Sequence, residues 1–118
     1  MPRTSLLIRL SHEDADRIRK EASSEYRSMS GYLLSVLERS FRIEEKVGRF
    51  SESLLSKQAR AIIGPQFKKL HTAVHLRCTV EQAVRIREYA ARRQLSIGDF
   101  VVFSLRRLWI ATAGLRGR

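Results

Sequence analysis

His71 and His75 stand four residues apart, the separation at which two imidazoles on one helix face share a zinc ion. The stretch HTAVHLRC that holds them instead alternates with the period of a strand, and on a strand the two rings lie about 13 Å apart, beyond the reach of one metal. Glu13, Asp14 and Asp16 form a second cluster, just after Ser11 and at the start of an amphipathic segment. Carboxylates there complement the positive end of a helix, by a few tenths of a kcal/mol each. A later, matching stretch keeps only Glu81 of the three, so neither paired catalytic acids nor a metal site is read from them. His12 falls at the same helix start. Cys78, the single cysteine, alternates with Leu76 and reads as a core thiol. The chain carries no phosphate loop, nucleophile elbow or zinc-protease motif. The expectation is a noncatalytic protein with no cofactor and no metal.

The side chains that do suggest chemistry are arginines. The 118 residues carry 23 Lys and Arg against 12 Asp and Glu, a formal charge of +11 that favours a polyanionic partner. Nucleic acid, an anionic membrane surface and an acidic protein all satisfy that charge, and a solvated basic face needs no partner. Arginine dominates over lysine, and its planar fork suits phosphates and base edges. No apolar run approaches the roughly 20 residues that cross a bilayer, and MPRTSLLIRLSHED is too briefly apolar for a signal peptide. A lone cysteine forms no internal disulfide. These features lead to an expected cytoplasmic protein of one domain, without membrane insertion.

Elements that could position the arginines come in duplicate. EDADRIRKEA at 13–22 is answered by EQAVRIREYA at 81–90, and at the same offset of 68 Thr4 matches Thr72, Arg9 Arg77, Ser28 Ser96, Leu37 Leu105 and Arg39 Arg107. Identity of about a quarter to a third over about forty positions, without a gap, reads as a duplicated unit. Each copy opens on an alternation: Leu6, Ile8 and Leu10 on one face with Ser5, Leu7 and Arg9 on the other, then Val74, Leu76 and Cys78 against Ala73, His75 and Arg77. A lone strand is unstable, so the economical arrangement pairs the two as a ribbon. Ser11 with Asp14, and Thr79 with Gln82, have the spacing of a capping box and start a helix after each strand. Ala15, Ile18 and Ala22, and Ala83, Ile86 and Ala90, make these helices amphipathic. Both break at a serine, Ser28 or Ser96, before a more apolar helix. In these second helices Tyr32, Leu33, Val36, Leu37 and Phe41 answer to Phe100, Val101, Ser104, Leu105 and Trp109 as a core stripe.

Strand, helix, serine turn and helix in about forty basic residues resembles the ribbon-helix-helix family of bacterial DNA-binding proteins. The resemblance covers 4–43 and 71–111. It rests on LLIRLSHED at the strand-to-helix junction and on SMSGYLLSVLE and LSIGDFVVFSL, where serine, any, small, any, aromatic, aliphatic recurs. It implies an α+β, mostly helical fold: a tandem ribbon-helix-helix, forming an intramolecular pseudo-dimer with a two-stranded antiparallel ribbon and a helical linker. The expected layout is a single DNA-binding domain, 1–118, made of a first unit at 4–43, a linker at 44–70, a second unit at 71–113 and a basic tail at 114–118. Within the linker, Leu54, Leu55, Ile62 and Ile63 either cover the core or form an interface, and Gly64 and Pro65 mark a turn.

The family inserts its ribbon in the major groove and reads bases with the outward strand residues. Carried over, these are Ser5, Leu7, Arg9, Ala73, His75 and Arg77, of which Arg9 and Arg77 suit guanine. Leu7 and Ala73 depart from the usual polar pattern; thymine methyl contacts or weak readout both fit them. Phosphate clamping by the amides that open the second helices falls on Ser28, Met29, Ser30, Ser96, Ile97 and Gly98. Arg3, Lys68, Lys69, Arg116 and Arg118 are further backbone contacts that the charge would serve. The family's tasks are conjugation and plasmid mobilisation, as relaxosome accessory factors at a transfer origin, transcription regulation as repressors, and antitoxin action. A fused pair with unlike half-ribbons is similar to the first group. Its implied partners are double-stranded DNA, a relaxase or another DNA-processing protein, and a second copy on adjacent DNA. A basic protein-interaction module with reduced DNA reading is the alternative from another class.

Overall fold

Alternation settles where the strands form. The computed structural model describes residues 2–47, 60–63 and 72–116. Within them β1 spans Arg3–Leu10 and β2 spans Thr72–Thr79, paired antiparallel in a two-stranded sheet with Leu6 opposite Leu76 and Ile8 opposite Val74. Leu6, Ile8, Leu10, Val74, Leu76 and Cys78 are buried, while Ser5, Leu7, Arg9, Ala73, His75 and Arg77 face solvent. The period of two has put every apolar position of each strand but Leu7 and Ala73 on one side.

Capping then turns each strand into a helix. Ser11 caps α1 (His12–Ser24) by accepting from the Asp14 amide at 3.2 Å. Thr79 caps α3 (Val80–Arg92) with a full reciprocal box: its hydroxyl accepts from the Gln82 amide at 3.1 Å, and Gln82 Oε1 accepts from the Thr79 amide at 2.8 Å. In α1 the box is half made, because the Asp14 carboxylate accepts from Arg106 instead, at 3.1 Å.

The longer helices are α2 (Met29–Val47) and α4 (Ile97–Arg116). Both follow a reversal through a left-handed residue, Tyr26 at φ 56° and Gln94 at φ 57°. The Arg27 amide reaches back to the Ala22 carbonyl at 2.8 Å and the Leu95 amide to Ala90 at 2.9 Å, which closes a Schellman turn at the same offset in each copy. Neither turn uses the glycine that this geometry favours. EEKV contains no breaker, so α2 continues past the sequence-based unit boundary at Ile43, and Glu44 lies in the helix instead of the linker. Likewise α4 enters the basic tail. A helical turn at 60–63 buries Ile63 and packs Ile62 on the core. Leu54, Leu55, Gly64, Pro65, Lys68, Lys69, His71 and Arg118 lie outside the described residues, as does the side chain of Arg116.

One core joins both copies. α2 packs on β2 and α4 on β1, so each second helix covers the strand of the other copy. Arg17 of α1 lies over the Trp109 ring of α4 at 4.3 Å, and its counterpart Arg85 of α3 lies over Phe41 of α2 at 4.8 Å. On one side only, Glu44 is buried at 8 % exposure. Its carboxylate accepts from Arg93 Nε at 2.7 Å, from the Arg93 guanidinium again at 2.6 Å, and from Arg107 at 3.0 Å. Arg107 also donates to Ser40 Oγ at 2.6 Å, and the Ser104 hydroxyl donates to Ser40 at 2.9 Å. Burial pulls the Arg107 pKa down, and Glu44 opposes that shift. No described buried side-chain polar atom lacks a partner. No described helix is long and apolar enough to cross a membrane.

Candidate nucleic-acid interface

The outward face of the ribbon is organised about a local axis. Leu7 lies opposite His75, its own counterpart at the offset of 68, so the axis passes between them. On one side of that pair Ser5 lies opposite Arg77; on the other, Arg9 lies opposite Ala73. Each arginine is therefore paired with a small side chain, and the two arginines occupy opposite corners. Four residues of strand at about 3.4 Å each, with the width of one strand pair, separate their Cα atoms by about 14 Å. That is close to four base-pair steps of 3.4 Å. Leu7 is 50 % exposed, an apolar side chain at the centre of a solvent-facing row.

The second helices begin at the two edges of this ribbon. Ser30 donates its hydroxyl to the His75 carbonyl at 3.2 Å and accepts from the Arg77 amide at 3.0 Å. Both backbone groups thus point away from β1, which makes the outward pairs the closely spaced, non-hydrogen-bonded ones. Ser30 holds the strand edge from which His75 and Arg77 project, a role that pattern reading did not assign to it. At the other edge its counterpart is Gly98. A Cβ there would stand 4.0 Å from the Arg9 carbonyl oxygen, ordinary contact distance, so α4 begins beside β1 as α2 begins beside β2, without the hydroxyl bridge.

Ser28 and Ser96 are the helix caps, accepting from the Gly31 amide at 3.0 Å and the Asp99 amide at 3.1 Å. The amides of Met29, Ser30, Ile97 and Gly98 belong to first turns that have no intrahelical acceptor. Met29 and Ile97 turn their side chains onto the core, so only their backbones are offered outward. The two helix starts differ in charge: α2 has no acid in its first turn, whereas α4 carries Asp99. Arg3 is exposed at the ribbon's end opposite Thr79, and Tyr26, 98 % exposed, stands in the turn leading to α2.

The other candidate groups lie away from this face. His12 leaves β1 at the far end, with Nδ1 2.8 Å from the Thr72 hydroxyl. Cys78 is buried, and burial raises its thiol pKa against the lowering effect of Arg87 and Arg3. A thiol so placed stays protonated near neutrality and is neither nucleophile nor ready ligand. Among the described residues no three His, Cys, Asp or Glu side chains converge as metal ligands. No family model matches the chain, and neither a curated protein nor a solved structure matches it.

Proposed function

We propose that the chain is a tandem ribbon-helix-helix protein whose two copies form an intramolecular pseudo-dimer and bind double-stranded DNA, the ribbon entering the major groove. The observation that carries this reading is the outward row itself: Ser5, Leu7, Arg9, Ala73, His75 and Arg77 on one solvent-facing side, with an arginine at each diagonal corner about 14 Å apart. Arg9 and Arg77 each offer a bidentate contact to guanine, and Ser5, Leu7, Ala73 and His75 read the positions between. The first turns of α2 and α4, at Ser28, Met29, Ser30, Ser96, Ile97 and Gly98, together with Arg3, flank the ribbon and take phosphates.

The two half-ribbons are unlike, so a site without full palindromic symmetry suits them. That favours a conjugation or mobilisation accessory factor at a transfer origin, acting with a relaxase or another DNA-processing protein, over a repressor of the same fold. A footprint over a nicking region or over a promoter separates the two tasks. The half-exposed Leu7 at the centre of the row is the observation that favours a protein-interaction module instead. Fluorescence anisotropy on a labelled duplex at two salt concentrations tests the DNA reading. Affinity should fall steeply with salt, with a logarithmic slope of about 0.9 per phosphate neutralised. Affinity that is absent at low salt, or the same at both, removes DNA as the partner and leaves the interaction module.

A further inference from the structure

Rotating the ribbon by half a turn about its local axis exchanges Arg9 with Arg77 and Ser5 with Ala73, arginine for arginine and small for small. At the axis it exchanges Leu7 with His75. The arginines at the ends therefore look alike in either direction, Ser5 and Ala73 differ by one hydroxyl, and the centre differs most. Phosphates are the same along both strands of a duplex, so the unlike helix starts, Ser30 against Gly98 and Asp99 in α4 alone, cannot by themselves tell one direction from the other. Base edges at the centre can.

We infer that the Leu7–His75 pair fixes the direction in which the chain lies on its site, Leu7 packing against a thymine methyl group and His75 donating to a guanine edge. This inference rests on the DNA reading proposed above. The chemistry of the two side chains differs in kind: imidazole supplies at least one N–H donor, for which guanine N7 and O6 are the acceptors, whereas leucine offers only apolar contact, for which the thymine methyl is the major-groove partner. Reversing the chain sets leucine against guanine and leaves its acceptors unpaired, and sets the imidazole against a methyl group. Ser30 adds support on one side, since it ties the His75 carbonyl and the Arg77 amide and so anchors the strand edge beside that donor, a tie for which β1 has no hydroxyl counterpart at Gly98. Both side chains are exposed, so exchanging them disturbs no core contact.

The test compares the full chain with the double variant Leu7→His/His75→Leu. Each is used to select its preferred duplex from a random library, and Glu25→Cys, in the exposed turn before α2, carries an iron chelate that cleaves nearby DNA. On the duplex selected by the parent chain, the parent should cleave one flank and the double variant the other. Reversing the central step of that duplex within unchanged flanks should return the double variant to the parent's flank, by about tenfold or more. The single variants Leu7→His and His75→Leu, with like residues at the axis, should cleave both flanks about equally. A double variant that selects the same outer guanines and cleaves the parent's flank overturns the inference and leaves base reading intact. Failure of every chain to select any sequence overturns base reading, and the inference with it.

Discussion

Replacing Glu44 by alanine takes from Arg93 and Arg107 the buried carboxylate that they share. Arg93 and Glu44 side chains are 5 % and 9 % exposed and Arg107 is 21 % exposed, so water cannot substitute for the lost partner. Breaking a buried pair of this kind costs about 3 to 5 kcal/mol, because the uncompensated charge stays behind. A domain of this size holds about 5 to 15 kcal/mol in all, so the variant should retain its fold with little reserve. Urea unfolding reads the loss directly: at an m-value of about 2 kcal/mol/M, the midpoint should fall by about 2 M. The Arg19–Asp16 pair supplies the control, since its side chains are 59 % and 64 % exposed and Asp16→Ala should change stability by less than about 1 kcal/mol. Replacing the knot as a whole by Glu44→Leu, Arg93→Met and Arg107→Leu should recover most of the loss, since no charge then remains buried. The reasoning is refuted if Glu44→Ala costs no more than Asp16→Ala at an unchanged m-value.

Arg9→Ala and Arg77→Ala should each cost about 1 to 3 kcal/mol on the preferred duplex and relax preference at one base position, while bulk DNA is bound nearly as before; competition anisotropy against single-base variants of the site checks this. Gln94→Gly should stabilise the fold by up to about 1 kcal/mol, because glycine carries no penalty at φ 57° and partly offsets the gain with its own unfolded-state entropy; a lowered thermal midpoint would argue against strain at that turn.

The strands and helix starts were legible because each is written locally: period-two alternation at Leu6 and Val74, and a serine or threonine three residues before an acid or amide. The core stripe from Tyr32 to Phe41, with its counterpart, was legible for the same reason. The left-handed turns were not, since Tyr26 and Gln94 stand where glycine would have announced them. The Glu44 knot joins α2 to Arg93 and α4 across the molecule, and although Arg107 has a like counterpart in Arg39, the other two positions do not: Glu25 answers to Arg93 and Thr112 to Glu44. No periodicity encodes such a meeting. Of the candidate interface, the outward row followed from alternation alone, and the register that sets Leu7 opposite His75 came only with the paired strands. The bond from Ser30 to the β2 edge depends on where α2 begins relative to the other copy's strand, which local pattern does not record.

The one-sidedness of the ionic knot bears on how neighbouring chains behave when crowded during synthesis. Two partly unfolded molecules could trade halves, as proteins with exchangeable elements do. If two first copies met, Glu44 of one would come against Glu25 and Arg39 of the other where it now meets Arg93 and Arg107, setting one carboxylate against another, and if two second copies met, Thr112 would stand where Glu44 now does. Only a first copy with a second sets Glu44 between two arginines. The unlike residues at Glu25 and Thr112 thus bias the repeat toward pairing unlike halves.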